Sequence, residues 1–183
     1  MELFHYSEDA SIAVFRPHIS KTSTVQDEPL VWAIDDWHSP MYCVPRDCPR
    51  VCFWPKVRAT EADREHWLHG LEPRFVMVLE AGWLERIHRT HLYRYLMPVE
   101  SFSPRSDDSG HFISRSTVVP ERVEPVQDLV ATILGAGVEL RFAQRLGPLW
   151  QRVSTAPALH FSGTRLKNAL GYPAEFRTSE SAG

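Results

Sequence analysis

Residues 29–55 constrain the fold more than any other stretch, because two short apolar runs there enclose a dense polar connection. Residues 30–34 are mostly β-branched or aromatic and are bounded by proline and aspartate, which predicts a buried strand. Residues 50–54 predict a second strand, which ends at Pro55. The connection is too short to form a core and carries Asp35, Asp36, His38, Tyr42, Arg46 and Asp47. Polar side chains on a loop between buried strands indicate a functional site.

The length and charge of the chain limit its class. With 183 residues and 43% hydrophobic content, we expect one domain with one core over residues 1–175 and a disordered tail at residues 176–183. A net charge of −3 gives no general attraction to nucleic acid or to an anionic membrane. No apolar run approaches the ~20 residues of a membrane span, and the first residues do not resemble a signal peptide, so we expect a cytoplasmic protein.

The three cysteines predict neither disulfides nor a metal site. Cys43, Cys48 and Cys52 are an odd number, which in a cytoplasm indicates reduced thiols. Their spacing is not the paired pattern of structural zinc sites. Cys48 could act as a nucleophile beside a histidine, but the neighbouring charge of Asp47 would raise the pKa of its thiol and oppose activation. A metal bound by His5, His38 or His111 has no supporting spacing.

The rest of the chain predicts further strands and short helices. The Thr60 and Asp63 pair has the pattern of a capping box and predicts a helix that ends near Gly70. We expect strands at residues 3–7, 74–79, 91–96, 111–115 and 139–142, and helices at 83–87, 128–136, 149–153 and 165–170. A polar loop is expected at residues 19–28. Since these elements lack regular βαβ alternation, they predict an α+β fold.

Familiar catalytic motifs are missing from the sequence. It contains neither the glycine-rich loops of phosphate and dinucleotide sites nor the common hydrolase and zinc-protease signatures. Residues 161–164 are too short to indicate a phosphate loop, and a helix cap explains them equally well. Motif spacing therefore names no reaction.

Three sequence features, in their order along the chain, resemble those of a known fold. The chain opens with Phe4-His5-Tyr6-Ser7, a later strand begins Val31-Trp32-Ala33, and a third carries Ser114-Arg115 before a valine-rich stretch. This order resembles the ADP-ribosyltransferase-like fold, as in rifampin ADP-ribosyltransferases and RNA 2′-phosphotransferases, and implies a split antiparallel or mixed sheet with short flanking helices. Residues 2 to about 170 also resemble an uncharacterised bacterial domain-of-unknown-function family with HYSEDPSI-like and WAIDEEHAPLY-like motifs.

The ADP-ribosyltransferase resemblance implies roles for particular residues. It places His5 on a ribose hydroxyl of NAD and Trp32 beside the nicotinamide, although the second aromatic is usually tyrosine. The third element, commonly a glutamate on a late strand, has three candidates, namely Ser114, Arg115 and Glu124. Arg46 or Arg115 could hold the pyrophosphate through a guanidinium fork. Asp35 or Glu124 could supply the carboxylate for an oxocarbenium-like transition state.

We therefore expect one cleft that binds a nucleotide-like small molecule, with NAD as cofactor. The catalytic candidates are His5, Asp35, Arg115 and Glu124, and the ligand-binding candidates are Ser7, Trp32, His38, Arg46 and Ser114. The leading hypothesis is an NAD-dependent ADP-ribosyl or phosphoryl transferase, and the alternative is a non-catalytic binding module with the same cleft. The structural alternatives are a backbone-bonded strand histidine for His5, a core aromatic for Trp32 and turn capping for Asp35 and Asp36.

Overall fold

The computed structural model describes residues 1–19, 28–105 and 110–171. Most of the expected loop at residues 19–28 and the expected tail at 176–183 lie outside these residues. Among the described residues the strands are β1 (Leu3–Ser7), β2 (Val31–Asp35), β3 (Arg50–Pro55), β4 (Val76–Glu80), β5 (Leu92–Met97), β6 (Ser103–Pro104), β7 (His111–Ser114), β8 (Arg122–Val126), β9 (Glu139–Ala143) and β10 (Leu159–Thr164).

Four α-helices lie between these strands in the described chain. They are α1 (Glu61–Leu68), α2 (Leu84–Arg89), α3 (Leu129–Gly135) and α4 (Gly147–Ser154), and short 3-10 helices include Ser39–Tyr42 and Leu166–Asn168. The α+β class is confirmed, because sheets and helices are both present without regular alternation. The ADP-ribosyltransferase-like form of the sheet and the single-domain boundaries stay predictions.

The chain forms two compact units, each with its own sheet and core. The first unit contains Met1–Arg46 and Arg89–Leu129, and the second contains Asp47–His88 and the chain from Val130 onward. The first unit has a six-stranded sheet in the order β6-β7-β2-β1-β5-β8, in which every neighbouring pair is antiparallel. The expected strands at residues 3–7, 30–34 and 111–115 are therefore neighbours in one sheet, as β1, β2 and β7.

The register of this sheet decides which side chains share a face. Leu3 lies opposite Asp35 on one side and Met97 on the other, and Phe4 lies opposite Ile34. Because strand side chains alternate between faces, every second residue of each strand belongs to the same face. The face that we call the core face packs into one hydrophobic cluster of Leu3, Phe15, Val31, Ala33, Tyr95, Met97 and Val118. We call the opposite face the Trp32 face.

The second unit has a four-stranded sheet in the order β10-β3-β4-β9, with β4 and β9 parallel. Its core joins sheet residues such as Phe53 and Val76 to Leu68 of α1 and Trp150 of α4. The capping box is confirmed, since the Thr60 hydroxyl accepts from the Asp63 amide at 3.1 Å. The buried Glu80 carboxylate accepts from the backbone amides of Leu146, at the start of α4, and Leu170.

One strand of the second unit was missed from the sequence. Residues 161–164, which are too short to indicate a phosphate loop and which a helix cap explained equally well, lie in β10, which pairs with β3 along its length. Gly163 sits in this strand because Trp150 packs directly over it, so that a β-carbon there would lie 2.6 Å from the indole. The glycine marks a close approach and not a turn. The helix expected at residues 165–170 is only the 3-10 helix Leu166–Asn168.

Candidate functional site

A row of large and charged side chains crosses the Trp32 face of the first unit. Tyr6 of β1 lies opposite Arg94 of β5, and Arg94 lies opposite Glu124 of β8. Because Phe4 faces Ile34, the same register brings Tyr6 alongside Trp32 of β2. Trp32, Tyr6, Arg94 and Glu124 therefore lie side by side on four neighbouring strands.

Trp32 is the centre of an aromatic half of this face. Its ring is partly exposed and meets the His111 ring edge-on, with 5.9 Å between the ring centroids. The guanidinium carbon of Arg105 lies 5.1 Å from the indole centroid, and the Arg105 side chain is exposed. The face thus offers an aromatic ring with an exposed cation over it.

Tyr42 holds His111 in position. Its hydroxyl lies 2.6 Å from Nε2 of His111, and it stands at the end of the 3-10 helix Ser39–Tyr42. The polar connection that follows β2 therefore contributes a side chain to the aromatic half.

Asp35 holds the turn that leads into this 3-10 helix. Its Oδ1 lies 2.8 Å from Nδ1 of His38 and accepts from the His38 backbone amide at 2.7 Å. Burial opposes ionisation of Asp35, but the hydrogen bonds from His38 and the nearby charge of His111 lower its pKa below the ordinary value. The turn-capping alternative for Asp35 is what these contacts show, with the additional effect that the carboxylate orients His38.

Tyr6 and Glu124 define the charged half of the face. The Tyr6 hydroxyl hydrogen-bonds with Ser39, Cys43 and Arg94, and burial raises its pKa above the ordinary value. Glu124 binds Arg94 and Arg122, each at 2.7 Å, and the hydrogen bond from Arg94 is the main reason that its pKa is lowered.

His5 lies on the core face and not beside the Trp32 ring. Its Nδ1 is 2.9 Å from the backbone oxygen of Trp32, and its ring packs 4.7 Å from that of Phe15. The pKa of His5 is lowered, mainly by burial of the ring. The prediction of one cleft lined by both rings is wrong, because the register of β1 and β2 sends the two side chains to opposite faces.

The other predicted residues are dispersed. Ser7 and Ser114 are buried, and their hydroxyls hydrogen-bond with the nearby backbone at Asp9 and Ser116. Arg115 makes a two-pronged ion pair with Glu28 at the surface. The backbone amide of Arg46 donates to the Glu8 carboxylate at 2.8 Å. Of the predicted set, the structure brings together Asp35 and His38, and it places Trp32 and Glu124 on one face.

Sequence reasoning missed four residues of the Trp32 face, which are Tyr6, Arg94, Arg105 and Arg122. Tyr6 and Arg94 stand at alternating positions of strands that were themselves predicted. Side chains alternate along β5, so Arg94 lies on the face opposite to that of the buried Tyr95. This alternation would have identified Arg94 as a residue of the Trp32 face. Nothing local in the sequence pairs it with Glu124, thirty positions away.

The cysteines are buried free thiols, as the reduced state predicts. Burial raises the pKa of Cys48 and of Cys52 to about 12. The predicted direction for Cys48 is correct, but the main cause is desolvation and not Asp47. Among residues 1–19, 28–105 and 110–171, no group of three or more histidine, cysteine or carboxylate side chains is arranged to hold a metal ion.

None of the helices in the described ranges has both the length and the apolar character that crossing a membrane requires.

Comparison with known proteins identifies a family. No curated protein and no solved structure matches the chain, so the ADP-ribosyltransferase-like resemblance has no support from these comparisons. A family model described as a family of unknown function, DUF6886, matches residues 4–169. The match covers nearly the whole sequence, and the chain therefore belongs to this family.

Proposed function

We propose that the protein binds a small nucleotide-like ligand on the Trp32 face, with the flat ring of the ligand on the indole. The observation that carries this proposal is the partly exposed Trp32 ring, which the His111 ring meets edge-on at 5.9 Å and over which the Arg105 guanidinium lies at 5.1 Å. A π-face of this kind stacks with any nucleobase or nicotinamide ring, and a neighbouring arginine suits a phosphate. NAD is the first ligand to test, because the resemblance of the N-terminal strands implies it.

The position of Arg105 is compatible with a ligand ring on Trp32. An exposed cation–π contact is worth about 0.5–1 kcal/mol, whereas stacking of a base on an aromatic side chain is worth about 1–3 kcal/mol. Stacking of a ligand ring on Trp32 therefore compensates for the loss of this cation–π contact. The long Arg105 side chain can then contact the anionic part of the same ligand.

Two functional classes use such a site differently. A transferase that passes through an oxocarbenium-like transition state needs a carboxylate whose negative charge faces the reacting sugar. Glu124 is on the correct face, but Arg94 binds its Oε2 and Arg122 binds its Oε1, so the local charge of the three groups is positive. This favours the binding module over the NAD-dependent transferase as the function of the face.

Thermal unfolding tests the binding proposal. NAD or AMP should raise the melting temperature through selective binding to the folded state, because a ligand at 100 times its Kd adds about 2.7 kcal/mol to the free energy of unfolding. Trp32→Leu should remove the shift, measured against the ligand-free melting temperature of that variant. Trp83→Leu is the matched control, because Arg86 lies 4.9 Å over the Trp83 ring in a similar pair. If neither ligand shifts the melting point at millimolar concentration, the proposal is wrong.

Incubation with labelled NAD separates the two classes. A transferase should release nicotinamide, and Glu124→Gln or Asp35→Asn should abolish the release while NAD still binds. Binding without any release would establish the module. Release that persists unchanged in both variants would remove these carboxylates from the chemistry.

A further inference from the structure

We infer that Arg94 and Arg122 form an anion-binding subsite on the Trp32 face, in which Glu124 occupies the place of a ligand phosphate. The subsite rests on the proposed function for the identity of the ligand ring, but its affinity for an anion can be measured without any ring. It would take a phosphate or diphosphate group.

The two guanidinium groups converge on one carboxylate. Arg94 Nη2 lies 2.7 Å from Glu124 Oε2, with its Nε at 3.3 Å from the same oxygen. Arg122 Nε lies 2.7 Å from the other oxygen, Oε1. Two positive charges thus share one negative charge. A tetrahedral phosphate offers more acceptor oxygens and more charge than the carboxylate to the same two forks.

Arg94 is held in place independently of Glu124. Its guanidinium carbon lies 4.8 Å over the Phe4 ring, and the Tyr6 hydroxyl hydrogen-bonds with it. A guanidinium fixed by an aromatic ring and a hydroxyl loses little freedom when an anion binds. The side chains of Arg94 and Glu124 are 37% and 34% exposed, so an anion from solvent can reach them.

The subsite is placed to serve a ligand on Trp32. Trp32, Tyr6 and Arg94 lie on the successive strands β2, β1 and β5, so the tryptophan and the arginine are two strand spacings apart, or about 10 Å. A ring on Trp32 and an anion at Arg94 are therefore separated by a gap that a sugar can bridge. This spacing favours a nucleotide over a free base or an aromatic acid.

The alternative to a subsite is that Arg94, Glu124 and Arg122 form a surface ion-pair network that binds no ligand. The first unit contains a suitable comparison, the Arg115 and Glu28 pair, whose side chains are 63% and 51% exposed. That pair matches one arginine with one glutamate and is neutral. The Arg94, Glu124 and Arg122 group instead carries an excess positive charge and, unlike the Arg115 and Glu28 pair, stands in a row with the Trp32 ring.

The test is titration of inorganic pyrophosphate by calorimetry at low ionic strength, where charge is least screened. Glu124→Gln should tighten pyrophosphate binding by roughly tenfold, because the competing internal anion is gone. Arg94→Gln should abolish it. Arg122→Gln, at an exposed edge position that tolerates substitution, should weaken it by roughly tenfold as well. Glu28→Gln makes the same change of net charge elsewhere and should leave the affinity unchanged.

The outcomes separate the subsite from the proposed function. Equal pyrophosphate affinity in wild type, Glu124→Gln and Arg122→Gln, or an equal gain in Glu28→Gln, would overturn the subsite. Adenosine, which has the ring without the phosphate, reports on Trp32 alone. Adenosine binding that Trp32→Leu removes, together with unaltered pyrophosphate binding in the arginine variants, would retain the proposed function and reject the subsite.

Discussion

Gly110 shows how one residue fixes the geometry beside the site. Its φ of +74° is in the left-handed region, and a β-carbon built there would lie 2.0 Å from Nδ1 of His38. Its carbonyl also accepts from the Asp35 amide at 2.9 Å. Only a residue without a side chain fits between the end of β2 and the His38 ring.

We predict that Gly110→Ala destabilises the first unit by more than the ~1–2 kcal/mol that the left-handed conformation alone costs. The added methyl group must displace the His38 ring and so break its 2.8 Å contact with Asp35. Urea unfolding measures the effect. Gly82→Ala is the control, since a β-carbon there meets nothing within 4 Å. Equal stability of the two variants would contradict the packing argument.

At the scale of elements, the sequence predicted what depends on near neighbours. The Thr60 and Asp63 capping box formed as expected because its two partners are three positions apart and need no tertiary context. The strand expected at residues 74–79 is β4, Val76–Glu80, which is buried along its whole length. The strand conformation of such an apolar run is predicted correctly because the run has one stable environment, the interior of a sheet.

The candidate site was harder to predict because it depends on register. His5 and Trp32 were each placed on a strand correctly, yet whether their side chains share a face depends on which residue of β1 lies opposite which residue of β2. A shift of one residue would reverse the answer. The contact of Arg94 with Glu124 requires the pairing of β5 with β8 as well. Composition and periodicity along a single strand do not contain this information.

On the scale of the whole molecule, the partly buried His5 links the folding of the first unit to pH. Its pKa is below the ordinary value of 6.5, mainly because burial among residues such as Phe15 disfavours the charged ring. The unfolded chain therefore binds a proton more readily than the folded one below pH 6.5. The pKa values of Asp35 and Glu124 are also lowered, but from 3.8 and 4.5, so these carboxylates act only in more acidic solution.

We predict that the free energy of unfolding falls as the pH decreases from 6.5 to 5.5, with a slope of at most about 1.4 kcal/mol per pH unit, the limit for a single proton. Above about pH 8 this contribution is constant, because both states are then neutral at His5. In His5→Gln the side chain can still donate to the Trp32 carbonyl but cannot ionise, so the slope between pH 7.5 and 5.5 should flatten. Denaturant unfolding at several pH values measures this slope. Hydrogen exchange of the β1 amides follows the unfolding of the first unit in these experiments. A His5→Gln variant as sensitive to acid as the wild type would show that His5 remains accessible to protons in the folded state.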